Sequence, residues 1–166
     1  MEQFNTSINF HIALFQPEIP TNTGNIGRLC VGTDSKLHII KPMRFLIEDK
    51  QVKRAGLDYW EKLSLQIHDS YEQFIDYSEG KTIYYCSTKS GNRYTDFQYK
   101  QGDVFVFGPE TKGIPEDILR DNYANTISIP MSCKIRSLNL ANSVAIILYE
   151  AWKQIGFPKG KVIKRV

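Results

Sequence analysis

The residues best suited to chemistry in this chain fall in three short segments rich in Gly, Pro, Asn and Ser. In Pro20-Thr21-Asn22-Thr23-Gly24-Asn25-Ile26-Gly27-Arg28, two glycines allow close backbone approach. Asn25 and Arg28, three apart, would share one face of a helix near its N-terminus, a place to hold an anion or a sugar. Taken alone, the segment is explained more simply by Asn22 or Asn25 capping a helix and Arg28 serving as a surface ion-pair partner. The second segment, Phe107-Gly108-Pro109-Glu110-Thr111-Lys112-Gly113-Ile114-Pro115, sets one carboxylate in a stiff loop. It lacks the Gly-Lys-Ser/Thr ending of a phosphate loop, which argues against a nucleoside triphosphatase. The third, residues 129–142, contains Met131, Cys133, Arg136, Ser137 and Asn139; Ser137 and Asn139 are good caps for a following helix, which does not bar them from touching a ligand. No Ser-His-acid set is evident, so His11, His38 and His68 read as structural.

Each segment follows a predicted strand. Residues 8–15 are β-branched and aromatic, and Pro17 and Pro20 then end the strand in a loop. N-cap candidates at residues 21–25 precede a helix over residues 26–31 that ends near Gly32. Further strands are predicted at residues 37–40, 82–86, 104–107 and 126–129, the last stopped by Pro130. Residues 49–57 have helical character, with Lys50, Lys53 and Arg54 able to form a basic face. The clearest helix carries Leu140, Val144, Leu148, Ala151 and Ile155 at three- and four-residue steps and ends at Gly156 and Pro158. Strands alternating with helices predict an α/β fold with a mostly parallel sheet and helices on both faces. In such a sheet, ligands lie beyond the carboxyl ends of the strands, where these three loops fall.

Composition narrows the class. The 166 residues are 42% hydrophobic and 23% charged, a globular balance, and read as a single domain over residues 1–166. No apolar run approaches the roughly 20 residues that cross a bilayer, and the N-terminus lacks a signal-peptide pattern, so a cytoplasmic address is expected. Cys30, Cys86 and Cys133 have no zinc-site spacing and read as reduced, buried thiols. A net charge of +3 permits a polyanionic partner without requiring one.

Taken together and in this order, the three loops closely resemble the motifs of the SPOUT class of methyltransferases, specifically the SpoU-like ribose 2'-O-methyltransferases. Residues 17–30, Arg54-Ala55-Gly56-Leu57-Asp58-Tyr59 and Tyr149-Glu150-Ala151-Trp152 are further similar to the small bacterial branch acting on cytidine or uridine 34 of tRNA. The likeness spans residues 8–158. It implies a C-terminal deep trefoil knot, which no general folding rule would suggest. It also implies a homodimer formed through that knot, S-adenosylmethionine as methyl donor with S-adenosylhomocysteine as product, and no metal. By position, the cofactor pocket falls on Cys86, Ser87, Gly108, Ile129, Met131, Ser137 and Leu138. The catalytic set falls on Asn22, Arg28, Glu110, Ser137 and Asn139, with Glu110 expected to orient Arg28 or the substrate. A guanidinium stays protonated in proteins, so Arg28 is expected to stabilise charge on the 2'-oxygen rather than act as a literal base.

The implied partner is the tRNA anticodon loop, with no membrane involved. No separate RNA-binding module is evident, so contacts are expected from the domain surface: Lys50, Lys53, Arg54, Lys134, Arg136, Lys159, Lys161, Lys164 and Arg165 for phosphates, and Tyr59, Trp60 or Tyr94 for a base. The competing readings are an enzyme of the same class acting on another tRNA or rRNA nucleotide, and an inactive knotted RNA-binding protein.

Overall fold

The computed structural model describes residues 8–47, 52 and 59–162. Six strands form one wholly parallel sheet: β1 (His11–Phe15), β2 (Lys36–Ile40), β3 (Leu65–His68), β4 (Ile83–Cys86), β5 (Val104–Phe107) and β6 (Thr126–Ile127), in the order β3-β2-β1-β5-β4-β6. β1 lies centrally, pairing His11 with Lys36 on one side and with Val104 on the other. Every residue of β1 and β5 is buried, as expected of parallel strands covered on both faces.

Alternation along the strands sorts the core into two layers. Ile12, Leu14, Leu37, Ile39, Phe105 and Phe107 meet Ile26 and Cys30 of α1 (Pro20–Gly32) and Val144, Ile147, Leu148 and Ala151 of α4 (Leu140–Gln154). On the opposite face, Ala13, Phe15, Ile40, Val104 and Val106 meet Phe74 of α2 (Tyr71–Tyr77) and Leu119 of α3 (Glu116–Asp121). None of the helices described is long and apolar enough to cross a membrane.

The strands and helices expected within the described residues are present, with β1 and β6 shorter than expected and one informative shift. Helix α1 begins at Pro20 rather than near residue 26, with the proline in the first turn, where a missing N–H costs nothing. Asn22 and Asn25 therefore lie inside the helix and are not its caps. β3, α2 and α3 were not visible in the sequence pattern. β3 is a four-residue edge strand, and α2 is signalled only by Ser70, whose hydroxyl accepts from the Gln73 N–H at 3.2 Å. Cys30 is buried and Cys86 half-buried, but Cys133 is exposed because the loop before α4 runs over the surface. The helical expectation at residues 49–57 lies outside the described residues, apart from buried Val52.

Candidate active site

Helix α1 offers its first-turn N–H groups without a side chain of its own to cap them: Ile19 occupies the N-cap. Glu110, from the loop after β5, instead binds the two residues that lead into the helix. Its Oε2 takes the Glu18 N–H at 2.9 Å, and its Oε1 takes the Ile19 N–H at 3.1 Å and the Asn22 side-chain amide at 3.3 Å. A carboxylate at a helix N-terminus also matches the helix dipole. Glu110 is thus engaged with the start of α1 rather than with Arg28.

Asn22, buried in α1, carries the connection onward. Its Oδ1 accepts from Asn139 Nδ2 at 3.1 Å, and Asn139 in turn caps α4 by accepting the Asn142 N–H at 3.3 Å. One amide from each of the first and third segments and the carboxylate of the second form a single hydrogen-bonded line. It ties two helix N-termini and the β5 loop together at the carboxyl end of the sheet.

Beside this line lies a cleft of about 770 Å³, within the range of small-molecule sites. All seven residues assigned by position to the cofactor line it: Cys86, Ser87, Gly108, Ile129, Met131, Ser137 and Leu138. So do Asn22, Glu110 and Asn139. Its lining mixes apolar Ile129, Met131 and Leu138 with Ser87 and Ser137, a composition suited to a flat heterocycle carrying a ribose. Burial pushes the Cys86 thiol well above its ordinary pKa, so it is a neutral wall and not a nucleophile.

The β5 loop leaves no room for a side chain at Gly108 and holds Gly113 in the left-handed region. A Cβ on Gly108 would sit 2.3 Å from the Gly113 carbonyl carbon, and Gly113 has φ +69°, with its N–H bound to the Pro109 carbonyl at 2.9 Å. Only glycine permits that closure.

Arg28 stands apart. It lies six residues beyond Asn22, about 9 Å along the helix axis, and is not among the residues lining the cleft. Its exposed guanidinium stacks on Tyr59, with Cζ 4.8 Å from the ring centroid and Nη2 3.4 Å from the hydroxyl. Trp60 packs towards Gly27 and Tyr94 packs against the core, and both stay partly exposed, as does Tyr59. Of the proposed phosphate contacts, Lys134, Arg136 and Lys161 are exposed, with Arg136 on the cleft, whereas Lys159 pairs with Asp34. Lys50, Lys53, Arg54, Lys164 and Arg165 lie outside the described residues. Thr88, Lys89, Thr111 and Lys112 also line the cleft and were not anticipated, since nothing in their spacing marks them.

The model of the SpoU rRNA Methylase family matches residues 9–149. A tRNA (cytidine(34)-2'-O)-methyltransferase of Methylovorus glucosotrophus (strain SIP3-4) is 49% identical over 150 residues, covering 89% of this chain and 97% of that protein. A solved structure concerning 2-OH methylation of C/U34 on tRNA is 38% identical, with a TM-score of 0.85 over 91% of this chain and 98% of the other. The SpoU methyltransferase AviRb from Streptomyces viridochromogenes, in complex with the cofactor AdoMet, is 25% identical with a TM-score of 0.79, covering 89% of this chain and 58% of its own.

Proposed function

The chain belongs to the SpoU methylase family, and from that premise we propose that it transfers a methyl group from S-adenosylmethionine to the ribose 2'-hydroxyl of nucleotide 34, cytidine or uridine, in tRNA. The observation that carries this reading is the coincidence of the cleft lining with every cofactor position read from the motifs. Cys86, Ser87, Gly108, Ile129, Met131, Ser137 and Leu138 would hold the donor. When bound, that donor supplies a methyl group already activated by its sulfonium, and the protein's own task is alignment and charge stabilisation.

Asn22 and Asn139, held by Glu110 and by the α4 cap, would hold the reacting ribose, together with Ser137, which lines the same cleft. Arg28 keeps its proton and donates hydrogen bonds to the 2'-oxygen or a neighbouring phosphate as negative charge grows there. Two finer features belong to the same proposal. The C-terminal part forms a deep trefoil knot, supported by the return of the chain from β6, at the far edge of the sheet, to lay α4 against α1. The active unit is a homodimer formed through this region, supported by half-exposed Ile146 and Tyr149 on α4 and by the position of Arg28 outside its own chain's cleft.

Incubation of the purified protein with total RNA and a methyl-labelled donor, followed by nuclease mapping, tests the reading. The label is expected on the ribose of tRNA nucleotide 34; label in rRNA or at another tRNA position redirects the substrate, and no label refutes transfer.

A further inference from the structure

Glu18 and Glu110 sit on neighbouring segments and reach in opposite directions. While Glu110 accepts the N–H groups of Glu18 and Ile19, the Glu18 carboxylate accepts from the very next residue of the β5 loop. The Thr111 N–H lies 3.1 Å from Glu18 Oε2, and the Thr111 hydroxyl lies 3.0 and 2.8 Å from Oε1 and Oε2. The strap is reciprocal: each side chain is bound to the other segment's backbone. These two hydrogen bonds from Thr111, aided by the nearby cations Arg44 and Lys112, hold the Glu18 carboxyl below the usual carboxylate range, so it is ionised at neutral pH.

The two segments have different duties. The β5 loop, through Gly108 to Ile114, walls the cofactor cleft, whereas α1 carries Asn22, the residue hydrogen-bonded to Asn139 on the substrate side. Glu110 ties the loop to α1 at one residue only, and the Gly113–Pro109 bond closes the loop on itself without fixing it to the helix. Thr111 held by Glu18 adds a second tie at the adjoining residue. We propose that Glu18 is a positioning residue for methyl transfer: by fixing Thr111 it locks the loop that walls the donor cleft to the helix that carries Asn22. Displacing donor and acceptor by even an ångström misaligns an in-line reaction, which is why so peripheral a contact governs rate. This assignment rests on the methyltransferase reading above.

The test uses the full chain with Glu18→Ala, Glu18→Gln, Thr111→Val and the Glu18→Ala/Thr111→Val pair. Single-turnover rate with tRNA, S-adenosylhomocysteine affinity by calorimetry and thermal midpoint are measured for each. Glu18→Ala is expected to slow methyl transfer by about tenfold or more while the thermal midpoint stays close to that of the parent protein. Glu18→Gln, whose amide oxygen still accepts from the Thr111 N–H, recovers part of the rate. The double variant is no slower than Glu18→Ala alone, because both changes break one contact. Rates for Glu18→Ala within about twofold of the parent, additive losses, or a loss that only tracks unfolding and is not relieved by Gln would overturn the assignment. A parent protein that transfers no methyl group to tRNA would instead remove the reading on which it rests.

Discussion

Asn22 is the residue through which the three loops meet, since its amide nitrogen faces Glu110 and its amide oxygen faces Asn139. An aspartate there would set a second carboxylate against Glu110, and an alanine would leave both neighbours short of a partner. Arg28 is different in kind, exposed and held by a single aromatic ring. The charge-stabilising role proposed for Arg28 predicts that Arg28→Ala lowers the methyl-transfer rate by about 100-fold or more and leaves S-adenosylhomocysteine affinity within about twofold; calorimetry beside a single-turnover assay checks both. Arg28→Lys should recover little, because a point charge does not replace a planar fork of donors. At this scale the sequence was partly legible. Residue types and loop order pointed to Asn22, Glu110 and Asn139, but the partner of each depends on contacts about 90 to 120 residues apart. The binding of Glu110 to the residues that lead into α1 had no local signal.

Among the elements, the parallel strands β1, β2 and β3 carry a feature that spacing conceals. His11 Nδ1 lies 2.9 Å from His38 Nε2, and His38 Nδ1 lies 2.9 Å from His68 Nε2, a buried row crossing three strands under the Tyr77 ring. Each bond needs one ring nitrogen as donor and one as acceptor, so the row is built for neutral rings. Burial, then Lys81 and Lys36, lowers the His11 pKa to about 4; burial and the adjoining histidines lower that of His38 to about 2. In the unfolded chain both titrate near 6.5. The unfolded state therefore binds more protons below that pH. Stability should be full above pH 6.5 and fall as pH drops towards 4, by up to about 1.4 kcal/mol per pH unit for each of these two rings. Urea midpoints between pH 7.5 and 5 measure this, and a flat profile would contradict it. The histidines were legible as structural from the sequence, but their mutual contact was not, because it follows from strand order. The β5 loop makes a sharper prediction: Gly108→Ala places a methyl group 2.3 Å from the Gly113 backbone and should weaken S-adenosylhomocysteine binding by about tenfold or more, read by calorimetry.

For the whole molecule, the all-parallel arrangement matters most, since it sends the carboxyl ends of β1, β4, β5 and β6 to one edge. The three loops collect there, the first and second short and the third, between β6 and α4, twelve residues long. The alternation of strands and helices made this fold class readable, but the placement of β6 beyond β4 is a long-range outcome that no local pattern encodes. A dimer formed across α4 should be disrupted by Ile146→Asp. Sedimentation is expected to show a dimer for the parent protein and a monomer for the variant, with activity lost in step; a monomeric, active parent would refute the dimer.

The most direct measurement compares two otherwise identical tRNA substrates, one with a normal ribose at nucleotide 34 and one with a 2'-deoxyribose there. One methyl group per molecule should appear on the first and none on the second. Transfer to the 2'-deoxy substrate, or none to either, would contradict the central claim.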